Sequence, residues 1–203
     1  MGRDGMERQP AVYVLGGGIG AGKSTVIGAF AAAGFVVVDA DEYGHRMLAS
    51  TMPSGRRVIA RWPESVVDGE VSRPRLAEIV FHDPDALAEL EAITHPEITA
   101  MIEETVEQVI ADGVAPGIVI EVPLLRLLSD TPWRRIAVVA PRDIRIERAT
   151  ERGADPDDVR ARMEHQEPDE AWAEWADVII DNGGSLDATL AAVEELITAG
   201  DAG

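Results

Sequence analysis

Short apolar runs rich in β-branched residues alternate along this chain with longer amphipathic stretches. The run "AVYVLG" predicts a first strand, and "KSTVIGAFAAAG" predicts a helix after it, closed at Gly34. "FVVVDAD" reads as a second strand whose continuous apolar stretch suits a parallel sheet. "GIVIEVP", "RRIAVVAP" and "ADVIIDNGG" predict three more. Residues 42–113 are largely helical in pattern, with breaks expected at Pro53, Pro63, Asp68-Gly69, Pro84 and Pro96. "RDIRIERATERG" and "DPDDVRARMEHQEP" give two arginine-rich helical segments, and a last helix is expected from Ser185 to about Thr198. This alternation implies an α/β fold with a five-stranded, doubly wound parallel sheet. Residues 1–10 read as a polar, mobile leader and 200–203 as a tail. Residues 11–199 then form one domain, with a helical insertion at about 53–113 and an arginine-rich lid at about 142–172.

Composition narrows the partners. A hydrophobic fraction of 46% and a charged fraction of 27% over 203 residues are those of a globular protein. No apolar run approaches the roughly 18 residues needed to cross a bilayer. "MGRDGMERQP" lacks the apolar segment of a secretory signal. Without cysteine there is no disulfide framework, thiolate metal site or Cys nucleophile, which is compatible with a cytoplasmic setting. A net charge of −19 repels nucleic acid and anionic membranes, so neither is expected as a partner, and a monomer or weak homo-oligomer is expected. The chain has 18 basic residues and one lysine among them, Lys23, which points to a need for a compact, flexible ammonium at that position.

Lys23 lies in "GGGIGAGKST", where two phosphate-binding patterns overlap. Gly17, Gly22, Lys23 and Ser24 fit G-x-x-x-x-G-K-[ST], a P-loop for a nucleoside triphosphate. The backbone from Gly18 through Ile19, Gly20, Ala21 and Gly22 to Thr25 would wrap the phosphates. Lys23 would reach the β/γ oxygens, Ser24 would supply a hydroxyl to Mg²⁺, and a helix N-terminus would add partial positive charge. Gly16, Gly18 and Ala21 also fit a dinucleotide loop, with Asp39 or Asp41 as the acid about 20 residues on. That reading gives no purpose to Lys23-Ser24. A ligand-free glycine turn is the third possibility.

Several other residues carry candidate chemistry. Asp39 and Asp41 end the second strand, expected beside the P-loop strand, and alternation would put both on one side, within reach of the crevice. A carboxylate there would orient an acceptor hydroxyl or take its proton. Asp41 as a helix N-cap is the plainer alternative. Arg145, Arg148 and Arg152 share one helical face, suited to phosphate, or else to a solvated face paired with Glu147 and Glu151. Glu121 closes the third strand, where an acid near the metal is expected, although a surface acid reads as well. Asn182-Gly183 follows the fifth strand, touching a base or merely making a turn. Trp172 and Trp175, spaced i, i+3, are expected to pack the lid onto the core.

"GGIGAGKST", "DAD", "RPRLAEIVFHDPDALAELEAITHPEI", "PLL", the arginine-spaced lid with Gln166, and "ADVIIDNGG" occur in an order and spacing that resembles the dephospho-coenzyme A kinase family, from about residue 12 to 195. The resemblance implies a P-loop kinase with a helical CoA-binding region and a lid. Such an enzyme transfers the γ-phosphate of ATP to the ribose 3′-hydroxyl of dephospho-CoA, the last step of coenzyme A synthesis. It implies Asp41 as base, Asp39 orienting or linked to Mg²⁺, and Glu121 near the metal. Arg148 and Arg152 would neutralise transferred charge, and Arg152 and Asn182 would hold ATP. His45, Arg46, Arg73, His95, Pro123 and Leu124 fall on the acceptor side. Three positions depart from the family pattern. Gly16 stands where Thr is usual, His45 where Arg is common, and Leu127 where a Glu normally follows "PLL". These departures leave open a kinase for another small hydroxyl acceptor, or a nucleotide-binding protein with reduced catalysis.

Overall fold

The computed structural model describes residues 10–200. Residues 1–9 of the expected leader and 201–203 of the tail lie outside the described residues. In chain order the elements are β1 (Ala11–Gly16), α1 (Lys23–Ala32), β2 (Val36–Asp39), α2 (Ala40–Met47) and α3 (Pro53–Arg61). A 3₁₀ turn at Pro63–Ser65 leads to β3 (Val66–Val67), β4 (Glu70–Val71), α4 (Arg73–Val80) and α5 (Pro84–Asp112). Then come β5 (Gly117–Glu121), β6 (Arg134–Val139), α6 (Arg142–Glu151), α7 (Pro156–Glu164), α8 (Asp169–Trp175), β7 (Val178–Asp181) and α9 (Leu186–Gly200).

Two compact units divide the chain. One holds the described residues up to Val38 and from Val106 onward, and the other is Asp39–Thr105. The expected insertion at 53–113 overlaps the second.

The first unit is built on a five-stranded sheet of order β2-β5-β1-β6-β7. β1 pairs parallel with β5 and β6, and β6 with β7, with Leu15 opposite Glu121 on β5 and Gly16 opposite Ala137 on β6. The three inner strands are apolar enough to be buried on both faces, as parallel strands require. β2 is an edge strand, with β5 between it and β1, which corrects the expectation that it lies beside the P-loop strand. "GIVIE" is buried from Gly117 to Ile120 and so suits the interior, whereas Val37 of β2 is 41% exposed. The core under α1 and α9 gathers Tyr13, Phe30 and Phe35 with ring centroids 5.1–6.0 Å apart. Such aromatic pairs add to the gain from apolar burial.

The second unit packs Val58, Trp62, Leu76, Val80 and Ala86 into its own apolar cluster. The buried Ser54 hydroxyl donates to the Met47 carbonyl at 2.7 Å and ties α3 to α2. Asp68-Gly69 is more than a break. Both residues have positive φ, 51° and 84°, and they turn the chain between β3 and β4 as a two-residue hairpin loop.

Two expectations are corrected here. The second strand stops at Asp39, because that side chain accepts the Asp41 N–H at 2.9 Å and starts α2 as its N-cap. Strand alternation therefore no longer relates Asp39 to Asp41, and the capping role falls on Asp39. Pro96 does not interrupt α5, which runs through it. Proline removes one intrahelical donor, but Thr94, Ile98 and Ile102 around it are all buried and hold the helix together.

Candidate active site

β1 delivers the chain at Gly16 into a loop that ends at Gly22, where α1 begins. Gly22 has φ 92°, and a β-carbon there would lie 1.9 Å from the Asn182 amide nitrogen, so glycine is required twice over. α1 has neither a side-chain cap nor an acid in its first turn. Its partial positive charge is left for an anion. Lys23 Nζ donates to the Gly17 carbonyl at 3.0 Å and stands 3.7 Å from Glu121 Oε1. The β1–β5 register explains that pair, since Glu121 sits across from Leu15 at the strand ends. Ser24 is exposed in the first turn of α1, and Thr25 is half-buried behind it.

A cleft of about 230 Å³ opens beside this loop, lined by Gly22, Thr25, Arg148, Glu151, Arg152, Asn182 and Leu186. Arg148 Nη1 is buried there and has no hydrogen-bond partner in the protein. An unpaired guanidinium nitrogen out of water is costly unless a ligand supplies the acceptor. Arg152 caps the C-terminal end of α6 and is exposed.

Asn182 is 4% exposed, and its side chain is engaged within the protein. Its amide donates to the Ala21 carbonyl at 2.8 Å and its oxygen accepts from the Thr189 hydroxyl at 2.8 Å. It fastens the loop to α9, a task the Asn-Gly turn pattern did not reveal. Arg145 also departs from expectation. It is 5% exposed and not among the residues that line the cleft, with Nε donating to the Ile19 carbonyl at 2.7 Å and Nη1 pairing with Asp169 at 2.5 Å. Helical spacing grouped it with Arg148 and Arg152, but i, i+3 and i, i+7 neighbours diverge enough for packing to claim one of them. Gln166, quoted above only for the resemblance, accepts the Ile19 N–H at 2.8 Å.

Gly16 and Leu127, two of the departures, have packing explanations. The Trp172 ring lies against Gly16, and Trp172, 3% exposed, meets Trp175 edge-on at 5.5 Å. Trp172 thus packs α8 onto the sheet, as expected. Leu127 is 3% exposed in the turns after β5, a position for an apolar side chain. Pro123 and Leu124 precede it on the surface.

The remaining candidates belong to the second unit. Asp41 is 49% exposed, with Arg73 Nη2 at 3.3 Å from Oδ1 and His45 Nδ1 at 4.0 Å from Oδ2. Arg46 lies over the Tyr43 ring at 5.4 Å. The Tyr43 hydroxyl is 2.9 Å from that of Thr105. His95 is half-buried on α5. Asp41, His45 and Arg73 thus form one mixed-charge group. Among the described residues no three His, Cys, Asp or Glu side chains are grouped to hold a metal, and no helix is long and apolar enough to cross a membrane.

The family model described as Dephospho-CoA kinase matches residues 11–188. A dephospho-CoA kinase of Frankia casuarinae is 38% identical over 186 residues, covering 90% of this chain and 80% of the relative. One from Thermobifida fusca is 38% identical over 189 residues, covering 89% and 93%. The crystal structure of TT1252 from Thermus thermophilus superposes with a TM-score of 0.75 at 31% identity, covering 94% of this chain and 98% of that one.

Proposed function

We propose, for a chain that belongs to the dephospho-CoA kinase family, that it is an ATP-dependent kinase phosphorylating the ribose 3′-hydroxyl of dephospho-CoA, the last step of coenzyme A biosynthesis. The observation that carries the reading is the phosphate loop with Lys23 at its mouth beside a cleft lined by Arg148, whose Nη1 is buried without an acceptor in the protein. A nucleotide phosphate supplies the acceptor that Arg148 Nη1 lacks.

The roles divide by unit. The loop from Gly18 to Thr25 and the N-terminus of α1 hold the phosphates, apart from the Ile19 N–H, which Gln166 occupies, and Lys23 neutralises charge on the transferred group. Arg148 and Arg152 bind the phosphate chain from α6. Asn182 acts on nucleotide binding by fixing Ala21 in the loop. In the second unit Asp41 receives the proton of the acceptor hydroxyl as its oxygen bonds to the γ-phosphorus and the β–γ bridge breaks, releasing ADP. Arg73 and His45 hold the Asp41 carboxylate, and Asp39 fixes the backbone at Asp41. Arg46, His95, Pro123 and Leu124 bind the acceptor.

Mg²⁺ fits the donor set. Ser24 offers a hydroxyl and Glu121 a carboxylate, and this ion typically takes one or two protein oxygens, with water and phosphate completing its shell. Ser24 and Glu121 would hold it, and it would supply positive charge that neutralises the phosphates. The reaction is placed in the cytoplasm, carried out by a monomer or weak homo-oligomer.

The test is formation of CoA and ADP by purified protein given MgATP and dephospho-CoA, with ATP omitted in the control. No CoA would sink the proposal. ADP formation that is faster with another small hydroxyl compound would move it to a different acceptor.

A further inference from the structure

The phosphate loop is held by residues that do not line the cleft. Both polar groups of the Ile19 residue are taken, its N–H by Gln166 Oε1 at 2.8 Å and its carbonyl by Arg145 Nε at 2.7 Å. Arg145 is in turn fixed by Asp169 at the start of α8. Three residues further along α8, Trp172 presses on Gly16. The segment from Gln166 to Trp172 therefore grips the loop at both Gly16 and Ile19.

The glycines record the same contact. A β-carbon on Gly18 would lie 2.3 Å from Arg145 Nη2, and one on Gly20 would lie 2.5 Å from the Arg145 carbonyl oxygen. Two of the loop's glycines are thus pressed by Arg145 itself, so close approach of backbone to a phosphate is not the sole demand on them. Arg145 is 5% exposed, and its charge is matched by Asp169, so it has no surplus charge to offer a ligand.

The geometry points to Arg145 as a positioning residue that holds the phosphate loop in its binding conformation before nucleotide arrives, with Asp169 as its anchor. A loop fixed in advance loses less conformational entropy on binding. Loss of the brace therefore weakens nucleotide binding while leaving recognition of the acceptor alone. The inference rests on the kinase reading only for its kinetic arm.

The experiment uses the full chain and four proteins: wild type, Arg145→Gln, Arg145→Lys and Asp169→Asn. Calorimetric titration with MgADP needs no acceptor. Arg145→Gln is expected to raise the Kd about tenfold to a hundredfold, the scale of a misplaced binding group. Asp169→Asn should raise it less, and Arg145→Lys, which keeps one donor and the charge but not the fork, should fall between wild type and Arg145→Gln. In turnover, KM for ATP rises with KM for dephospho-CoA unchanged. A purely structural role would lower the melting temperature and leave both the Kd and the ATP KM of the folded variant as in wild type, and that result overturns the inference. If Arg145→Gln does not fold, Asp169→Asn decides by the same criterion. Wild type that binds ADP yet makes no CoA sinks the kinase reading alone. Wild type that makes CoA while Arg145→Gln binds ADP normally sinks the brace alone. Wild type that binds no ADP overturns both.

Discussion

The Trp172 ring covers Gly16 so closely that a β-carbon on the glycine would sit 2.1 Å from ring carbon Cζ3. Glycine where the resembled family keeps threonine is therefore one half of a packing pair whose other half is an indole. Gly16→Thr is expected to cost about 1–3 kcal/mol by overpacking. In a Trp172→Leu background the same substitution should cost less. Urea denaturation of the four proteins measures the coupling, and equal penalties in both backgrounds would refute it.

Lys23 stands between the Gly17 carbonyl and Glu121, at the first residue of α1 and not in the core. Lys23→Ala is expected to lower kcat by about a hundredfold or more, the scale seen when one preorganised charge-stabilising donor is removed. The melting temperature should change by only a few degrees. Lys23→Arg should also be impaired, since a rigid fork does not reproduce a flexible point charge. Steady-state turnover beside thermal melts checks both, and near-normal turnover would remove Lys23 from the chemistry.

Asn182 satisfies Ala21 and Thr189 at once from a buried position. Asn182→Ala leaves both partners without it and is expected to cost about 1–3 kcal/mol. Asn182→Asp should be worse, because a carboxylate cannot donate to the Ala21 carbonyl. Both variants should bind ADP more weakly. Chemical denaturation with ADP titration measures the pair of effects, and lost stability at unchanged affinity would separate Asn182 from the loop's function.

Side-chain hydrogen bonding from Arg135, and then its backbone N–H, hold the Asp177 carboxyl below its ordinary value. A carboxyl lowered on folding contributes stability that is full above the unfolded pKa of about 3.9 and is lost as pH falls through the lower folded value. The stability gap between wild type and Asp177→Asn should therefore be flat near neutrality and close in acid. Because the pair is partly exposed, 32% and 43%, the gap should stay within about 1 kcal/mol. Unfolding midpoints from pH 7 down to about 3 test the sign, and a gap that widens in acid would contradict it.

Pro96 sits inside α5 with its side chain exposed. Pro96→Ala returns a backbone donor to the helix and relieves the ring's clash with the preceding turn, so it should stabilise the protein by about 1–3 kcal/mol. A thermal melt decides, and a lower midpoint would mean that the helix depends on the proline's shape.

The five strands of the main sheet were legible because each is a short apolar run with its own turn signals, and the loop because glycine spacing and Lys23 carry its chemistry locally. The two-residue strands β3 and β4 were too short to show in a stretch that reads as helical. The ends of elements were less legible. Extending β2 to Asp41 followed from apolar alternation, but a single side-chain hydrogen bond from Asp39 converts the next residue into helix. A break at Pro96 followed from proline's missing donor, which buried neighbours on either side outweigh. The place of β2 at the sheet edge, with β5 beside β1, depends on which strand can afford exposure.

By itself, then, the sequence determined the α/β alternation, the phosphate loop and the positions of its cations, all properties carried by residues close together in the chain. The tertiary structure alone decided which arginine of α6 turns inward, why position 16 is glycine, and what Asn182 holds. The Arg145–Ile19 bond joins residues 126 positions apart, and the Asn182–Ala21 bond joins residues 161 apart. Local periodicity places a side chain on a face. Which distant backbone meets that face is settled by the packing of the whole sheet, and no window of sequence contains it.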